Sequence, residues 1–204
     1  SLKGLFDNTD FLYIQYKFND QWSIRMGKDA LYVGGFEYDA PPIDVYYYTN
    51  YWDKFACFHI GVSAAYTDKS GKNKIAFQVA NSPYVKYGSN TWKSGLLSYN
   101  LYWAGNYGPF HTLYSVNLME YERGNYQQLA LGNQLKFNQW SIYVDWINRA
   151  IDFKKFFKDF PLVSRLDWHV SPSVNLFAKG GYEQNTTGYY YTMGEDSHVD
   201  VDMM

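Results

Sequence analysis

The sequence contains a series of short segments in which apolar and polar residues alternate. Leu12, Ile14 and Tyr16 occupy every second position of one segment, and Ile24 and Met26 do so in the next. Successive side chains of a β-strand point to opposite faces, so each segment has one apolar and one polar face. This period of two, repeated along most of the chain, constrains it to antiparallel β-structure.

The alternation and the turn residues predict about ten strands. The predicted strands are 9–18, 22–36, 54–66, 73–81, 94–104, 110–119, 127–137, 140–148, 161–170 and 174–184. Short connections rich in Asn, Asp, Gly, Ser and Pro are predicted at 19–21, 68–72, 105–109, 138–139 and 171–173. Longer ones are predicted at 37–53, 82–93, 120–126, 149–160 and after 185. Bacterial outer-membrane barrels have short periplasmic turns and longer extracellular loops, so the pattern predicts an all-β, antiparallel transmembrane β-barrel.

The composition agrees with a membrane barrel. The chain has 22 Tyr, 14 Phe and 7 Trp among 204 residues, yet its mean hydropathy is -0.44. Tyr and Trp are enriched where a protein meets both lipid and water, and barrels carry two such girdles. No apolar run approaches the roughly 18 residues of a membrane helix. The net charge of -2 gives no general attraction to nucleic acid.

The direction of the strands bears on the size of the barrel. If the short turns are periplasmic, both ends of the ten-strand region lie outside the cell, whereas known barrels of this type keep their termini in the periplasm. Val199, Val201 and Met203 alternate with acidic residues and are predicted to begin an eleventh strand. We therefore expect residues 1–204 to be one β-barrel region that lacks strands at both ends, within a barrel of about 12 to 18 strands.

Several stretches resemble the phosphate-selective porin O and P family, particularly its members from Bacteroidetes. They are WSIRMGKD at 22–29, GVSAAY at 61–66, FQVANSPY at 77–84, SYNLYW at 98–103 and LFAKGGY at 176–182. The resemblance implies an even-stranded, trimeric outer-membrane channel with a constriction formed by infolded loops. Phosphate-selective members owe their selectivity to a ladder of Arg and Lys along the lumen. The resemblance does not assign individual residues of this chain to that ladder, so it does not imply a preference for phosphate.

Charged residues opposite the apolar sets are candidates for the pore lining. The basic candidates are Lys17, Arg25, Lys74, Lys136, Arg165 and Lys179, and the acidic ones are Asp145, Asp167 and Glu183. Because fixed charges set pore selectivity, six positive against three negative groups predict a modest preference for anions. The alternative is that these residues only hydrogen-bond to one another within the wall. Arg165 and Asp167 in particular are predicted to brace the wall as a pair.

The segment 148–160 is a candidate constriction loop. Lys154, Lys155 and Lys158 fall at near-helical spacing against four phenylalanines. One interpretation is a short helix inside the pore with its lysines at the constriction. The other is a helix on the outer rim, with lysines in water or near lipopolysaccharide phosphates. Both remain open on the sequence.

The most direct functional interpretation is an outer-membrane porin for passive diffusion of small hydrophilic solutes. The main alternative is an aromatic-rich surface β-protein that binds glycans through tyrosine-rich stretches at 45–52 and 189–191. A third is a barrel that serves adhesion or scaffolding, with a lumen filled by side chains. No catalytic motif is present, although His59 with Ser63 and His169 with Asp167 share strand faces. No cofactor or metal motif is recognised.

Overall fold

A computed structural model describes residues 9–41, 45, 47–53, 55–84, 95–122, 124–150 and 157–185. Its ten strands form one antiparallel sheet in chain order. They are β1 (Leu12–Lys17), β2 (Trp22–Ala30), β3 (Phe58–Thr67), β4 (Asn73–Asn81), β5 (Leu97–Tyr107), β6 (Phe110–Tyr121), β7 (Gly124–Phe137), β8 (Trp140–Ala150), β9 (Asp159–Ser171) and β10 (Val174–Asn185). Two short helices, α1 (Phe36–Asp39) and α2 (Asn50–Asp53), lie between β2 and β3.

All ten predicted strands are present, and the fold class is confirmed. Within the described residues the sheet is open, with β1 at one edge and β10 at the other. Over the same residues, no helix is both long and apolar enough to cross a membrane. The predicted eleventh strand at 199–203 and the tyrosine-rich stretch at 189–191 lie outside the described residues.

The predicted bounds differ most from the observed ones at two places. β2 ends at Ala30 rather than at position 36, and β3 begins at Phe58 rather than at 54, because the chain between them leaves the sheet and turns toward its polar face. The expected long connection at 120–126 is instead a tight one. Glu120 pairs with Asn125 and Tyr121 with Gly124, whose φ of 156° favours glycine. The alternation of short and long connections is therefore broken once.

One face of the sheet exposes large apolar side chains. These residues include Ile14, Met26, Val62, Phe77, Leu101, Val116, Leu135, Val144, Leu166 and Leu176. Aromatic pairs flank this apolar band: Trp140 stacks on Trp168 beside the short turns, and Trp146 stacks on Phe157 at the opposite end. An exposed apolar band between aromatic girdles is the lipid-facing surface of a membrane barrel.

The other face, which we call the inward face, is polar and largely covered. Consecutive cross-strand pairs form one row across eight strands. In strand order the row contains Gln15, Arg25, Ser63, Gln78, Asn100, Asn117, Gln128 and Arg149. From Ser63 to Arg149 every member is buried. Polar groups inside and apolar groups outside reverse the arrangement of a soluble sandwich, in which the apolar faces meet.

Candidate pore constriction

Between β2 and β3 the structure describes residues 31–41, 45, 47–53 and 55–57. These residues lie against the inward face, and we call them the inward segment. Polar side chains of the wall satisfy its backbone. The Tyr32 N–H donates to Gln78 Oε1 at 2.8 Å, and Asn117 Nδ2 donates to the Tyr32 carbonyl at 2.9 Å. The Gly34 N–H donates to Ser115 Oγ at 2.8 Å. The buried polar row therefore serves first to hold this segment, because buried backbone groups need partners.

Asp145 fixes the start of α1. Its two carboxylate oxygens accept the N–H groups of Phe36 and Glu37 at 2.9 and 2.7 Å. The first N–H groups of a helix have no partner within the helix, so a carboxylate at this point stabilises it. Asp145 is only 1% exposed. This predicted pore-lining residue thus anchors the inward segment to β8.

Glu37 joins three parts of the molecule. It is fully buried, and its carboxylate accepts hydrogen bonds from the Thr49 N–H and Oγ at 3.0 and 3.1 Å. Lys179 of β10 contacts both the Glu37 carboxylate and the Tyr47 carbonyl. Through these contacts α1, the returning part of the inward segment and the wall are tied together.

An aromatic cluster completes the packing of the inward segment. Its members on the segment are Leu31, Val33, Tyr51, Trp52 and Phe55, which pack on Ala80, Met119, Tyr126, Ala130 and Ile147 of the wall. Burial here raises the pKa of Tyr51 well above its usual value. Within the tyrosine-rich stretch at 45–52, the rings of Tyr51 and Trp52 are therefore packed inside the molecule.

The strand register places all nine predicted pore-lining residues on the inward face. Three of the six cations among them, Arg25, Arg165 and Lys179, have carboxylate partners. Arg25 pairs with Asp29 at 3.0 Å. The ion pair predicted to brace the wall is present, because Arg165 Nε donates to both oxygens of Asp167 at 3.1 Å.

Three further ion pairs lie on the side of the lumen away from the short turns. Glu183 contacts Arg149 at 3.3 Å, and Arg149 also pairs with Asp159. Lys179 is paired with Glu37. Arg149 lies 4.8 Å from the centre of the Tyr51 ring, so this cluster also supports α2.

Three lysines of the inward face differ from these cations. Among the described residues, Lys17, Lys74 and Lys136 have no ion pair. Each lies within the first or last two residues of its strand next to a short turn. Two of these lysines, Lys74 and Lys136, interact electrostatically with the carboxyl group of Asp39 at the end of α1. Burial raises the pKa of its carboxyl, and the positive charges of Lys74 and Lys136 oppose that rise.

The predicted constriction loop lies only partly within the described residues. Lys154 and Lys155 fall outside them. Beside Lys158, Phe157 stacks on Trp146, whose side chain belongs to the outer face by register. This placement favours the outer rim for the described end of the segment, and the role of these lysines stays a prediction.

The two residue pairs considered for catalysis show no catalytic arrangement in the described structure. His59 Nε2 lies 3.2 Å from the Ala56 carbonyl, and the Ser63 hydroxyl is bonded to Tyr32 at 3.1 Å. Asp167 is engaged by Arg165 and Asn175.

These features define an outer-membrane β-barrel wall with a segment folded into its lumen. The family model for phosphate-selective porin O and P matches residues 2–128. The chain belongs to this family of outer-membrane porins, and the match spans β1 to β6, the inward segment and the start of β7. No curated protein and no solved structure matches the chain significantly. Membership indicates a channel of the outer membrane rather than an enzyme.

Proposed function

We propose that this porin is an anion-preferring diffusion channel in which the inward segment forms the constriction. The observation that carries the proposal is the state of the lumenal charges. Arg25, Arg165 and Lys179 are neutralised by neighbouring carboxylates, whereas Lys17, Lys74 and Lys136 have no ion pair among the described residues. Their fixed positive charges attract anions and repel cations at the periplasmic end of the lumen.

The inward segment gives the proposed channel its narrow point. Because α1 and its flanks are tied to β4, β6, β8 and β10, solutes pass through the space left beside them. The carboxylate of Asp39 interacts electrostatically with Lys74 and Lys136. Opposed charges across a narrow passage orient dipolar and charged solutes, while the excess of lysines keeps the net preference for anions.

The ten strands are proposed to be part of a larger closed barrel of about 12 to 18 strands. An exposed strand edge in lipid leaves backbone N–H and C=O groups without partners, and barrels remove such edges by closure. Within the described sheet β1 and β10 are the two edges. A homotrimer surrounded by outer-membrane lipid and lipopolysaccharide is the corresponding assembly.

The test is the reversal potential across a planar bilayer that contains the full-length channel under a KCl gradient. We expect discrete current steps and a potential that favours chloride. Replacing Lys17, Lys74 and Lys136 together with Gln should move the potential toward zero. Each charge within about 4 Å of a passing ion contributes about 1 kcal/mol in water, roughly a fivefold change in permeability ratio.

The control is Lys69→Gln, because Lys69 lies in the exposed turn between β3 and β4. This variant should keep the wild-type potential. An unchanged chloride preference in the triple variant would overturn the assignment of selectivity to these lysines. Absence of current steps from folded, inserted protein would overturn the channel itself.

A further inference from the structure

A cavity opens beside the inward segment at the end of the sheet that carries the short turns. It has a volume of about 200 Å³ and is lined by β1 to β4, the turn between β1 and β2, and Tyr32. Pockets for drug-sized ligands measure roughly 300–1,000 Å³. The cavity therefore suits a smaller solute.

The charges in this cavity are arranged along its wall. Lys17, Arg25 and Lys74 contribute the positive groups, and Asp20 of the turn contributes one negative group. Arg25 is held in place, since its Nε donates to Gln15 at 3.2 Å and its guanidinium lies over the Tyr13 ring at 4.7 Å. Because Asp29 neutralises Arg25, the charges that remain are those of Lys17 and Lys74 against Asp20, and this net positive charge favours an anion.

The spacing of the two cavity lysines bears on the shape of that anion. Lys17 lies on β1 and Lys74 on β4, three strand spacings apart, or about 14 Å along the sheet. The Lys74 ammonium lies 5.9 Å from the centre of the Tyr32 ring, which steadies it on the β4 side. A compact inorganic anion meets one of these groups at a time, whereas a longer solute reaches from one toward the other.

Hydroxyl and amide groups fill the space between the cations. Ser23, Ser63 and Thr67 line the cavity with Gln15 and Tyr32. The Ser63 hydroxyl and the Tyr32 phenol are 3.1 Å apart, so these two form a fixed polar pair. Such groups donate to and accept from the hydroxyls of a polyol.

We propose that this cavity is a binding site for small polyhydroxy carboxylates, such as sugar acids, on their way through the channel. The carboxylate meets a lysine, and the hydroxyls meet the polar groups between Lys17 and Lys74. The inference rests on the proposed channel function and adds the substrate class.

The experiment measures block of the chloride current in single channels by gluconate added on the side of the short turns. Glucose serves as the neutral polyol, acetate as the carboxylate without hydroxyls, and inorganic phosphate as the compact anion. Gluconate should block with a dissociation constant at least roughly tenfold lower than each of the three, since only gluconate combines a charged contact with several hydroxyl contacts.

The variants separate this site from general selectivity. Lys17→Gln with Lys74→Gln should weaken the gluconate block by roughly tenfold. Lys136→Gln should reduce chloride preference but leave the block unchanged, because Lys136 is not in the cavity lining. Thr67→Val should weaken the block without changing selectivity, since it removes a hydroxyl and no charge.

The outcomes distinguish the two proposals. Chloride preference without gluconate block, or equal block by phosphate or acetate, overturns the binding site and leaves the channel function standing. Loss of block in Lys136→Gln also overturns the site, because the effect is then one of overall charge. A current without anion preference overturns the proposed function itself.

Discussion

Gly132 of β7 and Gly35 of the inward segment are packed against each other without room for a side chain. A Cβ atom at Gly132 would meet the Gly35 Cα at 2.8 Å and an oxygen of Asp145 at the same distance. Gly35 itself has a φ of 112°, in the region that favours glycine. The wall and the inward segment are thus fitted to each other at backbone level.

Gly132→Ala should displace the inward segment from the wall. The contact is with backbone, which cannot rotate away as a side chain can, so α1 must shift or leave. We expect a larger single-channel conductance, because the passage beside α1 widens. Gly180→Ala is the matched control, since a Cβ there meets no atom within 4 Å. Unchanged conductance in Gly132→Ala would contradict the placement of the constriction.

The strands and the two faces of the sheet were predictable because each rests on a local pattern. The period of two in β3, for example, assigns Val62 to lipid and Ser63 to the inward face, and the structure agrees. The same pattern placed the nine charged candidates on one face. Hydrophobic alternation is a property of neighbouring residues, so one sequence is enough to read it.

The inward segment was not predictable in the same way. Its backbone partners, Gln78, Ser115 and Asn117, lie 46 to 85 positions away in the sequence. Gly34 and Gly35, which a strand seldom carries, were the local signal that β2 ends early. Nor does the sequence distinguish a paired lumenal cation such as Lys179 from Lys136, which has no ion pair within the described residues, because the partner Glu37 lies on a different element.

Removing the charge of Glu37 alone should loosen the inward segment. Glu37→Gln leaves the Lys179 ammonium without its carboxylate in a largely buried position, a change that costs about 3 kcal/mol or more for buried ion pairs. We expect rapid fluctuations in the open-channel current and faster proteolysis of the inward segment. The variant and the wild type are compared in the same bilayer for the current and in the same detergent for the proteolysis.

A double variant provides the control for Glu37. In Glu37→Gln with Lys179→Met neither side chain is charged, and the amide oxygen introduced by the first substitution can still accept a hydrogen bond from Thr49. Current fluctuations should then be smaller than in the single variant, because no buried charge is left unpaired. Equal fluctuations in the two variants would show that the ion pair is not what holds the segment.

Asn117 should contribute to stability through the polar row. Its Nδ2 group donates to the Tyr32 carbonyl and to Asn100 Oδ1 at 2.9 and 2.8 Å. Asn117→Leu has a similar shape but leaves buried acceptors unsatisfied, at about 1–3 kcal/mol for each group. We expect a lower midpoint of urea unfolding in detergent. Val116→Leu, on the neighbouring lipid-facing position, should leave the midpoint within error.

Asp39 should make the selectivity depend on pH. Burial raises the pKa of its carboxyl, so it takes up a proton at a higher pH than an ordinary aspartate. Protonation removes a negative charge facing Lys74 and Lys136, and the lumen becomes more positive. Chloride preference should therefore increase as the pH falls from neutral toward that raised pKa.

The variant Asp39→Asn removes this titration. At every pH above the range in which ordinary carboxyls titrate, this variant should show the high chloride preference that the wild-type channel reaches in acid. Lowering the pH toward that range should not increase its chloride preference further. Reversal potentials recorded from about pH 8 to about pH 4 in both proteins give the comparison. If Asp39→Asn keeps the wild-type pH dependence, another lumenal group carries the titration, and Asp39 does not face the ion pathway.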